Sequence, residues 1–145
     1  MRSIEDFIMM NLMELGFVDR EDMAKVETIN KNYTIQLTKK DYHFDSYKFL
    51  CKFDVYNILQ VKIFELLLDE NRLIKLCDGF YDYYNDDRYS LLIELDSETQ
   101  FYLCRNENGN IDLKIFHKGL YRLNLEMDES ILCKFVNISM FLFFI

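Results

Sequence analysis

The hydrophobic period of the chain changes along its length, and where it becomes two it leaves little choice of fold. In NYTIQLT, Tyr33, Ile35 and Leu37 alternate with Thr34, Gln36 and Thr38, and in YKFLCKFDV, Tyr47, Phe49, Cys51, Phe53 and Val55 share one face. Successive strand side chains point to opposite faces, so each run is predicted to be a strand with one apolar side to bury. After residue 88 the segments YSLLIEL, QFYLCR, IDLKIFH and YRLNLEM are separated by DSET, NENGN and KG. Asn108-Gly109 is a hairpin signal because both residues accept positive φ, so a meander of four strands is expected here.

Elsewhere the period is helical. Ser3 can cap a helix over residues 3–16, with Asp6 at the third helical position, an apolar stripe of Ile4, Phe7, Ile8, Leu12 and Leu15, and Gly16 to close it. Asp19 can cap a second, short helix through REDMAKV, with Glu21 and Asp22 in the first turn where the macrodipole favours acids. The stretch from Asn57 to Asp87 is ambiguous at its start, where Ile58, Leu59, Val61, Ile63 and Phe64 suit either period. Its Leu and Glu content and the set Leu73, Leu76, Cys77 and Phe80 favour helix, with a break near Asp69. The expected fold is therefore α+β: N-terminal and central helices packed on a mainly antiparallel sheet, with a C-terminal hairpin meander.

At 145 residues and 17.6 kDa, with no proline and only 4 glycines, the chain lacks the punctuation of linkers and is read as one domain over 1–145. Its ending, ILCKFVNISMFLFFI, is apolar but interrupted by Lys134, Asn137 and Ser139 and shorter than the about 20 residues a bilayer span needs. A terminal strand or short helix docked in the core is expected, not a membrane anchor. The ending also repeats Leu-Cys-Lys-Phe of residues 50–53. A solenoid repeats its secondary structure as well, and here helical and hairpin signals fall at different points of the period, so the echo is assigned to biased composition.

The charge balance, 25 acidic against 17 basic residues and a net of −8, repels phosphate backbones and anionic lipid. Direct nucleic-acid or membrane binding is disfavoured, and a basic protein is the fitting partner. Cys51, Cys77, Cys104 and Cys133 form no C-x-x-C and no cluster with histidine, and each follows a leucine in an apolar run. Reduced, buried thiols in a cytoplasmic protein are expected, with no metal or cofactor. The N-terminal run carries Glu5, Asp6 and Glu14 and lacks a small-residue cleavage site, so it is not read as a signal peptide.

Catalytic motifs are sparse. The chain has no phosphate-binding glycine loop, nucleophile elbow or H-E-x-x-H, and its two histidines, His43 and His117, read as strand-end residues. The one enzymatic trace is Asp96 followed by Asp112-Leu113-Lys114, the outline of a metal-dependent nuclease in which carboxylates hold the ion and a lysine supports the nucleophile. A strand by itself also places Asp112 and Lys114 together on its polar face. The other feature is FYDYYNDDRYS, where Tyr81, Tyr83, Tyr84 and Tyr89 interleave with Asp82, Asp86 and Asp87, ahead of Asp96. Tyrosine offers large contact area at small entropic cost and carboxylates pair with Arg or Lys, so Tyr81, Asp82, Tyr84, Asp86, Asp87, Tyr89 and Asp96 are the expected partner-binding residues. The alternative is a solvated helix end whose rings cover the sheet.

These features point to a small acidic binding protein, of the immunity-protein or phage anti-defence inhibitor type, that blocks a basic nucleic-acid-handling protein. A small metal-dependent nuclease or other hydrolase, and a subunit of a larger assembly or homo-oligomer, are the alternatives.

Overall fold

The structure is a computed structural model, and it describes residues 18–20, 23–40, 50–85 and 89–144. The helix expected over 3–16, as well as His43, Asp86 and Asp87, lie outside the described residues. The fold is α+β, with more strand than helix. Its strands are β1 (Val18–Arg20), β2 (Met23–Glu27), β3 (Tyr33–Lys40), β4 (Leu50–Asn57), β5 (Lys62–Asp69), β6 (Ser90–Glu94), β7 (Thr99–Arg105), β8 (Ile111–His117) and β9 (Leu120–Met127). Helix α1 (Glu70–Asn85) follows β5 and helix α2 (Glu129–Phe144) follows β9.

The strands divide into two antiparallel sheets, each in sequence order: β1 to β5 in the first and β6 to β9 in the second. A run of hairpins followed by one helix therefore occurs twice, which differs from the expected order of helices first and strands last. Both helices begin alike. Asp69 Oδ1 accepts the Arg72 N–H at 2.9 Å, and Asp128 Oδ1 accepts the Ile131 N–H at 2.8 Å. Each caps its helix, with Glu70 or Glu129 in the first turn beside the positive end of the dipole.

Two segments expected to be helical are strands. Around Asp19, Ala24 and Val26 alternate with Lys25 and Glu27 and pair with Leu37 and Ile35 of β3. A seven-residue helix nucleates poorly, whereas that ladder buries both apolar side chains. In β5, Phe64, Leu66 and Leu68 point inward, and Leu67 faces out at 41 % exposure. The triple leucine hid a period of two. The break near Asp69 is real, and helix starts at Glu70. The four-strand meander over 90–127 is as expected, and the apolar ending is the helix α2.

The inner faces of both sheets and both helices share one continuous apolar cluster. Phe53 of β4 stands at its centre, with ring centroids 5.6 Å from Phe101 of β7 and 6.3 Å from Phe64. The helices meet through Phe80 and Phe135, 4.8 Å apart. Each fully buried side chain of this size stabilises the fold by about 1.5–3 kcal/mol relative to exposure. At Gly79 helix α1 comes so close to β6 that a Cβ there would lie 2.5 Å from Ile93 Cδ1 and 2.6 Å from its Cγ1. Arg72 links β5 to the β6–β7 turn: Nη1 donates to the Leu67 carbonyl at 3.2 Å, and Nε lies 3.2 Å from Asp96 Oδ2.

Two turns, one in each sheet, are built on the same plan. Asn57 Oδ1 accepts the N–H groups of Leu59 and Val61, both at 3.0 Å, and Asn106 Oδ1 accepts those of Asn108 at 2.9 Å and Asn110 at 3.0 Å. In both, the first residue's N–H donates to the fifth carbonyl and the fourth N–H donates back to the first. The fourth residue has positive φ in each, 63° at Gln60 and 78° at Gly109. Glycine takes that conformation freely; glutamine gives up about 1–2 kcal/mol.

Candidate functional site

The tyrosines of α1 divide by helical geometry. Leu73, Leu76, Cys77, Phe80 and Tyr83 recur at helical spacing and form the buried face. Tyr83 is thus a core residue, its hydroxyl donating to the Tyr89 carbonyl at 3.4 Å and its ring 5.9 Å from the Arg105 guanidinium carbon. Tyr81, Asp82 and Tyr84 lie on the exposed side, and Tyr89, beyond the helix, is 74 % exposed.

Tyr89 leads into a surface hollow of about 520 Å³ at the Asn106–Asn110 end of the second sheet. Its floor is the outer face of that sheet, where Asp112 of β8 stands directly across from Glu126 of β9. Two like charges facing each other need a donor between them, and Asn106 supplies it. Its Nδ2 donates to Asp112 Oδ1 at 3.1 Å and to Glu126 Oε2 at 2.7 Å, while Asn110 Nδ2 donates to Glu126 Oε2 at 3.2 Å. Those amide donors hold the Glu126 carboxyl below its ordinary range. Glu107 adds a third acid at the rim, and Asn124 Oδ1 on the floor is shielded without a hydrogen-bond partner. The cation in the lining, Arg105, lies 2.8 Å from Glu129. The hollow is therefore acidic, rigidly backed and framed by an exposed aromatic ring.

Asp96 sits elsewhere. Its Oδ1 accepts the N–H groups of Glu98 and Thr99, both at 2.8 Å, closing the β6–β7 turn. Burial pushes its carboxyl up, but those donors and Arg72 outweigh it and hold the group below its ordinary value. Thr99 pairs with His117 and Cys104 with Asp112, so Asp96 and Asp112 belong to opposite ends of the β7–β8 pair, about 17 Å apart along the strands. Lys114 shares the outer face with Asp112 and stands across from Asn124. The residues of the nuclease outline are thus not gathered in one place. His117 Nδ1 lies 2.8 Å from the Thr99 hydroxyl, also at the far end. Among the described residues, no group of three or more His, Cys, Asp or Glu side chains could hold a metal ion.

A second charged cluster occupies the outer face of the first sheet. Asp54, 1 % exposed, lies 3.8 Å from Lys52 and 3.7 Å from Lys62, and Glu65 lies 3.0 Å from Lys62. Loss of hydration raises the Asp54 carboxyl above its ordinary value in spite of the two lysines.

The residues that sequence reasoning passed over are Asn106, Glu107, Asn110 and Glu126. Their trace was visible as Asn106-x-Asn108-Gly109-Asn110-x-Asp112, a polar residue at every second position leading into a strand. Among the described residues no helix is long and apolar enough to cross a membrane. The chain matches no family model, no curated protein and no solved structure in the comparisons made.

Proposed function

We propose that the chain is a small acidic binding protein that takes hold of a basic protein partner at the Asn106–Asn110 end of the second sheet. The observation that carries this reading is the pair Asp112 and Glu126, bridged and fixed by the Asn106 amide at the floor of an open hollow. A hollow of that size accepts one Arg or Lys side chain, which finds carboxylate oxygens at fixed positions and so loses little to reorganisation. Tyr89 offers its ring to the aliphatic stem or guanidinium face, and Tyr81, Asp82 and Tyr84 extend the surface along α1. The net charge of −8 steers a cationic target toward it.

A basic protein that handles nucleic acid fits this description best, because its phosphate channel presents cations that acids can occupy in competition. The protein then acts as an inhibitor, of the immunity-protein or anti-defence type. Affinity capture from the native host, read by mass spectrometry, identifies the partner. Glu107→Lys and Tyr89→Ala, both at exposed positions, should each weaken its binding by roughly tenfold or more while leaving the melting temperature within a few degrees of wild type. Affinity should also fall as salt rises. Unchanged binding by both variants removes this site from consideration, and a metal-dependent cleavage activity abolished by Asp112→Ala replaces the reading with an enzymatic one.

A further inference from the structure

The two turns of identical plan display opposite chemistry. Between its anchoring asparagine and the next strand, the second sheet shows Glu107, Asn108, Gly109 and Asn110, as a solvent-exposed turn should. The first sheet shows Ile58, Leu59, Gln60 and Val61, with Ile58 64 %, Leu59 79 % and Val61 54 % exposed. The backbone needs neither the apolar side chains nor a strained glutamine, since its twin manages with polar residues and glycine. Two departures from what stability selects at one turn call for a cause outside the fold.

The turn does not stand alone. Tyr33 pairs with Asn57, so the β2–β3 connection lies at the same end of the first sheet. Phe64 and His117, with ring centroids 6.1 Å apart, bring the start of β5 to the β8–β9 hairpin. That hairpin exposes Leu120 at 58 % and Tyr121 at 54 %. The two hairpin ends together carry five large apolar side chains that are more than half exposed, an amount at which the largest apolar patch of a chain is often a functional face.

We propose that this end of the molecule, formed by the Asn57–Val61 and His117–Tyr121 hairpins, is a self-association face whose occupant is a second copy of this chain. Charge selects that occupant. An isologous face must tolerate its own image, and most of the surface of a chain at net −8 repels a copy. Here the exposed Lys31, Lys62, Lys118 and Arg122 stand among the exposed Glu27, Glu65 and Glu98, so the acid excess is absent locally. Five such side chains counted twice bring the buried area to the order of the 1,200 Å² at which specific interfaces begin. The acidic hollow lies at the other end of β8, so the two faces act independently.

The test is to replace one turn with its twin: Ile58→Glu, Leu59→Asn, Gln60→Gly and Val61→Asn in one protein, which keeps the hydrogen-bonded backbone and removes the apolar tip. Light scattering and sedimentation over a wide concentration range should show a reversible wild-type dimer, insensitive to salt, and at least a tenfold weaker dimer for the replacement. Its melting temperature at high dilution should equal or exceed that of wild type. Leu59→Asp and Tyr121→Asp, one from each hairpin, repeat the measurement should the fourfold variant fail to fold. A wild-type chain that is monomeric at millimolar concentration overturns the proposal. So does a dimer equally strong in all three variants, or a monomeric wild type that sediments with lipid vesicles through the same residues.

Discussion

Phe53 and Phe135 meet edge to face with ring centroids 6.1 Å apart, one projecting from the strand β4 and the other from the helix α2. They are the closing residues of the two Leu-Cys-Lys-Phe segments. The same tetrapeptide is extended at residues 50–53 and helical at 132–135. Both rings are fully buried.

This contact makes the apolar ending part of the core. Phe53→Ala and Phe135→Ala should each destabilise the protein by about 3–5 kcal/mol, and a double-mutant cycle should show coupling of about 0.5–1.5 kcal/mol between them. Denaturant unfolding measures both. A Phe135→Ala protein as stable as wild type would show that the ending is not docked.

Gly79 offers a test in which two effects oppose each other. Alanine in a helix interior is better than glycine by about 0.5–1 kcal/mol, but a Cβ at 2.5 Å and 2.6 Å from two Ile93 carbons overpacks the junction, at about 1–3 kcal/mol. Gly79→Ala should therefore destabilise. In an Ile93→Ala background, where both clashing carbons are gone, the same change should become stabilising. Thermal melts of the four proteins in this square decide it, and the absence of a sign change would contradict the close approach.

Asp54 carries a pH dependence of defined sign. Its carboxyl is raised above the ordinary 3.8 chiefly by lost hydration, so the folded protein holds that proton more tightly than the unfolded chain. The stability it contributes is fully present below 3.8 and is lost as pH rises through the folded value. Asp54→Asn cannot ionise and escapes the loss. Its stability relative to wild type should grow as pH is raised from about 4 toward neutrality, as read from urea unfolding at several pH values. A difference that stays flat across that range would mean that Lys52 and Lys62 fully compensate the charge.

The thiols should fall into two classes. Burial pushes Cys51 and Cys77 up to about 12, which leaves almost no thiolate at neutral pH; Cys104 and Cys133, expected to be buried as well, are only half-buried, and partial burial also raises Cys133. All four are free. Alkylation followed by mass spectrometry should label Cys104 and Cys133 in the native protein, and Cys51 and Cys77 only after unfolding. Labelling of all four at one rate would point to global opening.

Much of the fold could be read directly. The strands around Ile35 and Phe53 carry a period of two, the meander over 90–127 is marked off by its polar connections DSET, NENGN and KG, and Asn108-Gly109 announces its turn. The strand β5 could not be read this way, because Leu66-Leu67-Leu68 is equally apolar in either period and only pairing with β4 assigns Leu67 outward. A repeated unit was also present in the sequence, though not where the echo of Leu-Cys-Lys-Phe suggested. Asp69-Glu70 with Leu73 and Asp128-Glu129 with Leu132 start the two helices at equivalent points, each after the last strand of its sheet.

The sequence alone determined the α+β class of the protein: antiparallel strands from local alternation, and helix from the three- and four-residue spacing of Leu73, Leu76, Cys77 and Phe80. These are properties of neighbouring residues, and side-chain direction and capping act within one turn or one strand. Tertiary structure decided which residues meet. It buried Tyr83 while exposing Tyr81 and Tyr84, placed Asp96 with Arg72 away from Asp112, and set Glu126 across from Asp112 with Asn106 between them. The Asp112–Glu126 pair joins residues 14 positions apart through strand register, and register is settled by the burial of whole sheet faces, which no short stretch of sequence contains.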